Sequence, residues 1–269
     1  MQIDRPRVGA VNYLNSKPLI EGLDQRASEV ELVLDYPSRL ADQLAGGQLA
    51  VALVPSIACL MDRAYEVVTD ACVAARGAVL SVKLYSRVPC RAIRRLALDE
   101  GSRTSAALAR ILLAERHGVF PEVEPLPLTA TLSDSRADAV LLIGDRAIHE
   151  PAETFAETWD LGEAWHAHTG LPFVFAMWAA RRGAALGAVE QALIGARDLG
   201  VSRLVEIARR ESQMLGLREA VCIDYLTRNL YYRLGSSERQ GLARFHELTV
   251  KYGLAPKGVE LVFKNCAAA

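Results

Sequence analysis

The apolar positions of the N-terminal third come in short runs that alternate with helical spacing. Arg7–Val11 and Ala50–Val54 are almost wholly apolar, as strands covered on both faces are. Val30–Tyr36 alternates between them as another strand. Ser38 is placed to cap an amphipathic stretch in which Leu40 and Leu44 sit four apart, and Gly46–Gly47 stops it. Strand–helix–strand repetition of this kind predicts right-handed crossovers and a doubly wound sheet.

Gly77–Ser86 reads as a longer strand, ended by Arg87–Val88–Pro89. The alternation then restarts with a strand at Leu96–Leu98, a periodic helix over Thr104–Arg116 closed by Gly118, and a buried strand at Ala137–Ile143. Leu171–Ala180 is again a long β-type run. Beyond it the spacing is helical over Leu186–Arg197, Val201–Leu215 and Arg218–Leu234, then in a Ser236-capped helix ending at Gly253. The expectation is an α/β protein with two lobes, residues 1–88 with 172–269 forming one and 89–171 an inserted second. Crossings near Arg87–Arg91 and His168–Pro172 would make a hinged cleft, a common place for a ligand. Apart from the short Ala267–Ala269 tail there is no repeat or low-complexity segment.

Composition narrows the function. With 269 residues, 51% of them apolar, a substantial core can form. The net charge of −1, with both signs interspersed, argues against a broad nucleic-acid footprint. No stretch approaches the ~18 apolar residues of a membrane span, and the charged start, with Asp4, Arg5 and Arg7, lacks a signal-peptide core. Cys59, Cys72, Cys90, Cys222 and Cys266 are scattered and odd in number, without a CxxC pair. These features predict a cytoplasmic protein that neither enters a membrane nor binds nucleic acid.

Three segments carry candidate chemistry. The first runs from Asn12 to Pro18, after the first strand, where open α/β sheets bind ligands. Asn12, Asn15 and Ser16 can orient a ligand without ionising, or can bond their own turn's backbone. The second is Asp99–Ser105, between a strand and a helix. Ser102, Thr104 or Ser105 can cap that helix, whose first N–H groups attract anions, and Arg103 adds a fork suited to a carboxylate. The competing reading is an ordinary cap beside a solvated arginine. The third is Ile143–Arg146, where Gly144 and Asp145 follow an apolar strand. Asp145 can hold a hydroxyl, move a proton, cap the next segment or pair with Arg146. Ser81 and Ser86 lie near the expected hinge, and Ser56 follows a strand as either a cap or a cleft residue.

Other chemistries are weakly represented. There is no GxSxG elbow and no HExxH, and His166 and His168 point to different helix faces, so no metal site is expected. Trp165, Tyr225, Tyr231 and Tyr232 suit core or helix-packing positions.

Several long segments resemble one family in the same order: VGAVNYLNSKPL at 8–19, LSVKLYS at 80–86, SRTSAALARILL at 102–113, AVLLIGDRA at 139–147 and DLGEAWHAHTGLPFVFAMWAARR at 160–182. The family is chorismate dehydratase of the futalosine route to menaquinone, with a small departure at Tyr13–Leu14. The resemblance implies a type 2 periplasmic-binding-protein fold used as a cytoplasmic enzyme. It implies loss of water from chorismate to give 3-(1-carboxyvinyloxy)benzoate without a cofactor. It also implies that Asn15 and Ser81 are the active-site asparagine and serine, and that Ser102–Ser105 is the carboxylate-binding helix start. Two other readings stay open: a non-catalytic small-anion sensor on the same fold, and the sister enzyme forming 1,4-dihydroxy-6-naphthoate from cyclic dehypoxanthine futalosine.

Overall fold

The computed structural model describes residues 5–26 and 30–264, so Asp4, Cys266 and the Ala267–Ala269 tail lie outside the described residues. The strands are β1 (Arg7–Val11), β2 (Glu31–Asp35), β3 (Val51–Pro55), β4 (Tyr65–Ala75), β5 (Val82–Ser86), β6 (Arg95–Asp99), β7 (Glu122–Leu126), β8 (Ala139–Ile143), β9 (Glu157–Asp160), β10 (Phe173–Arg181) and β11 (Tyr231–Arg233). The helices are α1 (Lys17–Ile20), α2 (Pro37–Ala45), α3 (Ser56–Met61), α4 (Arg103–His117), α5 (Leu161–Thr169), α6 (Val189–Ser202), α7 (Leu204–Leu215), α8 (Glu219–Asp224) and α9 (Ser236–Lys251).

Two sheets organise these elements. The first has the order β11-β4-β10-β3-β1-β2 and the second β7-β6-β8-β5-β9. In each, three strands are parallel, β2-β1-β3 and β7-β6-β8. An antiparallel strand follows in each, β10 beside β3 and β5 beside β8. Every residue of β3 and β8 is buried, which explains their unbroken apolar sequence: helices cover both sheet faces. Burying Leu40 and Leu44 of α2 against the first sheet contributes roughly 1.5–3 kcal/mol each.

The chain passes between the sheets twice, after β4 and before β10. The first passage lies earlier than the pattern suggests. Val82–Ser86 pairs with β8 and β9, so this strand belongs to the second sheet although residues through 88 were expected in the first lobe. The apolar run from Gly77 hides a break: Leu80 has φ 61°, a left-handed conformation outside the strand region, and β5 begins only at Val82. Two more elements differ from the pattern. β4 pairs along most of β10 despite its polar Glu66, Thr69 and Asp70. The stretch expected as one helix over Arg218–Leu234 is instead α8, a π-helical turn at Tyr225–Asn229 and β11. The expected serine caps also shift, since α2 begins at Pro37 and α9 at Ser236 itself. Among the described residues no helix is long and apolar enough to cross a membrane.

Candidate active site

A cleft of about 510 Å³, the solvent at its mouth included, opens between the two sheets. It collects residues at the carboxyl ends of parallel strands from both: Val11, Tyr13, Asn15 and Ser16 after β1, Pro55 at the end of β3, Ser102, Thr104 and Ser105 after β6, and Ile143–Gly144 after β8. Val73, Val79, Val82, Phe175 and Pro37 supply apolar walls. The polar lining consists of Tyr13, Asn15, Ser16, Ser81, Ser102, Thr104 and Ser105. Among the described residues no Asp, Glu, Lys, Arg or His lines it. A ligand in this cleft would therefore meet hydroxyls and an amide among apolar walls.

Asn15 and Ser81 reach this cleft from different sheets. The Ser16 hydroxyl donates to Asn15 Oδ1 at 2.9 Å, which leaves the Asn15 amide hydrogens for other partners. The Ser81 hydroxyl accepts from Tyr225 at 2.7 Å. Tyr225 is fully buried, and burial raises its hydroxyl well above the ordinary tyrosine range, opposed in part by the Ser81 side chain it bonds.

At the start of α4, Ser102 Oγ accepts from Ser105 N at 3.2 Å, a standard cap. The N–H groups of Arg103 and Thr104 belong to the same first turn and have no intrahelical acceptor. α4 has fifteen residues, and its dipole adds positive character at this end. Thr104 Oγ1 also accepts from Ile57 N at 3.2 Å and sits 3.4 Å from Ser56 Oγ. Ser56 in turn donates to Val174 O at 2.8 Å. Ser56 thus stands behind Thr104 and braces α3, α4 and β10, and it does not line the cleft.

Two expected ligands sit beside the cleft. Asp145 accepts from Leu14 N through both oxygens, at 3.0 and 3.2 Å. Burial pushes its carboxyl up to about 6, opposed by the Leu14 bond and by Lys17. Asn12 accepts from Lys17 Nζ at 3.1 Å, and with Asp145, Tyr13 and Tyr36 it borders a separate depression. Asp145 does not pair with Arg146, which instead binds Asp99 Oδ2 at 2.5 Å and the Leu128 and Ala130 carbonyls.

Arg103 corrects an expectation. Its side chain is half exposed and turns away from the cleft to bind both oxygens of Asp42, at 2.7 and 2.8 Å. It is the first residue of α4, and its guanidinium projects off the helix toward α2.

Three contributors escaped the sequence reading. Tyr225 reads in the sequence as a core or helix-packing residue, since its partner Ser81 is distant in the chain. Tyr13 lies within the informative turn, and its ring sits so close to Gly144 that a Cβ there would meet the ring at 2.7–2.9 Å. Asp160 accepts from Val79 N and Leu80 N at 2.6–3.0 Å and caps α5 through Gly162 N and Glu163 N. A single carboxylate thereby fixes the left-handed Leu80 next to Ser81. Among the described residues no three His, Cys, Asp or Glu side chains gather as a metal ion would require.

Comparison with known proteins gives this geometry a context. A family model described as menaquinone biosynthesis matches residues 6–251. A chorismate dehydratase of Thermus thermophilus is 35% identical over 262 residues, 90% of this chain and 95% of that protein. Among solved structures, a protein of Archaeoglobus fulgidus superposes with a TM-score of 0.71 at 18% identity, covering 94% of this chain and all of the other. A Candida albicans gene product, described as exhibiting the generic periplasmic binding protein fold, gives 0.62 at 14% identity, with 95% and 92% covered. At such identities the two structures speak to fold alone: two sheets flanking a cleft, as in periplasmic binding proteins.

Proposed function

Because the chain belongs to the menaquinone biosynthesis family, we propose that it is a chorismate dehydratase, converting chorismate to 3-(1-carboxyvinyloxy)benzoate and water. The observation that carries this reading is the cleft's lining, an array of neutral donors around an apolar slot with, among the described residues, no ionisable group except Tyr13. Burial raises the Tyr13 hydroxyl far out of the neutral range, so it too stays protonated. Such a lining suits a reaction in which the protein positions a dianion and the substrate's own electronics do most of the work.

Chorismate carries a ring carboxylate and an enolpyruvyl carboxylate. The start of α4, with Ser102, Thr104 and Ser105, is the natural seat for one of them. Asn15 and Ser81 then face the reacting edge of the ring from opposite sheets. Loss of the C3 proton leaves an electron pair delocalised through the diene to the ring carboxylate. The pair returns to form the new ring double bond as the C4 hydroxyl departs, taking up a proton to leave as water. Aromatisation provides the driving force. Val73, Val79, Val82 and Phe175 keep bulk water from the anionic intermediate.

The family's biosynthetic role supports a cytoplasmic location for this reaction, and the described cysteines form no disulfide. A test follows directly. Purified protein is incubated with chorismate, with or without a chelator, and product is followed by mass spectrometry and by its aromatic absorbance. The expected result is loss of one water per chorismate. Binding of chorismate without turnover would make the protein a sensor, and turnover of cyclic dehypoxanthine futalosine alone would make it the sister enzyme.

A further inference from the structure

The fully buried Tyr225 hydroxyl reaches one of the polar groups that line the cleft, donating to Ser81 Oγ at 2.7 Å. Ser81 has a single hydrogen of its own, and no described protein acceptor takes it. With Tyr225 donating to its oxygen, that hydrogen is left for whatever occupies the cleft.

We propose that Tyr225 is a positioning residue for the dehydration, which commits the Ser81 hydroxyl to donate toward the oxygen that gains negative charge on the bound substrate. The inference rests on the function proposed above. A donor pre-aimed by a buried neighbour needs no reorientation during the reaction, and polarisation by that neighbour strengthens its bond.

The local backbone supports this role. Tyr225 opens a π-helical turn, Tyr225–Asn229, at the end of α8. Such turns carry poorer hydrogen-bond geometry than an α-helix and recur at functional sites. Here the extra residue lets both ends of the turn dock on the segment between the sheets. Tyr225 meets Ser81 at one end, and Asn229 donates to Ala78 O at 2.9 Å at the other.

The test compares wild-type protein with Tyr225→Phe, Ser81→Ala and the double variant, measuring kcat and KM for chorismate together with thermal midpoints. Tyr225→Phe removes one oxygen and keeps the ring. It is expected to lower kcat about tenfold to a hundredfold while KM changes less than about threefold, because the lost interaction acts in the transition state. The double variant is expected to be no slower than Ser81→Ala within about twofold, since Tyr225 acts through Ser81. An unchanged kcat in Tyr225→Phe, or losses that multiply in the double variant, overturns the inference. Should Tyr225→Phe fold poorly, 3-fluorotyrosine at this position keeps the ring and the bond while making the phenol a stronger donor. A shift in kcat at constant KM then supports the relay, and an unchanged kcat overturns it. If wild-type protein does not turn over chorismate, the functional reading falls and this inference with it; wild-type turnover that the variants leave intact removes the inference alone.

Discussion

The backbone N–H of Leu14 donates to both carboxylate oxygens of Asp145, 131 residues further along the chain. Leu14 follows β1 in the first sheet and Asp145 follows β8 in the second, so this bond ties the two lobes together at the edge of the cleft. Thr104 makes a comparable tie by accepting from Ile57 N, and Ser38 N makes another by donating to Gly101 O. These contacts join the two walls of the cleft at its edge.

The Leu14–Asp145 tie should respond to pH. Burial raises the Asp145 carboxyl from 3.8 to about 6, Lys17 and the Leu14 bond lower it, and Glu211 raises it further. The folded protein thus holds this proton at pH values where the unfolded chain has lost it. The group's stabilising contribution is full below its ordinary value and is lost as pH rises through about 6. Asp145→Asn keeps an acceptor for Leu14 and cannot ionise. Its thermal midpoint is expected to vary less than wild type between acidic and neutral pH, and at neutral pH to be no lower. Parallel profiles for the two proteins would show that Asp145 does not titrate in this window.

Arg103→Ala is expected to leave substrate binding nearly intact. An exposed pair such as Arg103–Asp42 contributes roughly 0–1 kcal/mol, and its charge is turned away from the cleft. KM for chorismate should change by less than about threefold, whereas losing a direct charge-assisted contact would raise it about tenfold or more. A tenfold rise in a folded variant would bring the guanidinium back to the substrate.

Much of the architecture was legible because its signals are local. β1, β3 and β8 are apolar runs buried on both faces, and α4 carries its serine cap and its Gly118 stop. What escaped depends on partners distant in the chain. β4 was masked by polar residues that other segments satisfy: Asp70 binds Arg197, and Glu66 accepts from Gly183 N. The segment between the sheets looked like strand because Ala78, Val79 and Leu80 are apolar, yet Asp160 holds it in a turn. The candidate site followed the same rule. Asn15, Ser16, Ser102, Thr104, Ser105 and Gly144 sit in turns after strands, where sequence alone marks them. Tyr225 acquires its partner only when residues 144 apart in sequence meet.

Gly144→Ala tests the packing beside the cleft. Gly144 has φ 74° and ψ −161°, a region essentially reserved for glycine, and a Cβ would sit 2.7 Å from Tyr13 Cζ. Backbone strain of this kind costs on the order of 1–3 kcal/mol. The variant is expected to melt earlier and to lose activity, since the Tyr13 ring must move within the cleft lining. A midpoint equal to wild type would mean that the turn relaxes without strain.

Asp160→Ala removes the acceptor shared by Val79 N and Leu80 N. Leaving such donors unpaired costs roughly 1–3 kcal/mol, and Leu80 loses what holds it at φ 61°. Ser81 is the next residue, so kcat is expected to fall more than the loss of thermal stability explains when assayed well below the midpoint. Wild-type kcat in a destabilised variant would show that Ser81 is placed without Asp160.

The last expectation concerns the base that takes the C3 proton. Among the described residues the cleft lining offers no carboxylate, histidine or lysine. Asn15 cannot accept a proton usefully, Ser81 would need a neighbouring base, and its neighbour Tyr225 is itself held protonated by burial. Asp145 is the nearest candidate carboxylate by sequence, yet both its oxygens already accept from Leu14. The substrate, in contrast, carries its enolpyruvyl carboxylate one ether oxygen from C3, where an intramolecular group acts at a high effective concentration. The elimination is therefore expected to be substrate-assisted, with Asn15 and Ser81 holding the reactive conformer. A chorismate analogue with that carboxylate replaced by a neutral amide should still bind, and should react at least about a hundredfold more slowly, given how much an intramolecular base contributes. Asp145→Asn should keep most of the wild-type kcat with chorismate. Turnover of the amide at a rate near that of chorismate, or abolished turnover in a folded Asp145→Asn variant that still binds, would place the base on the protein.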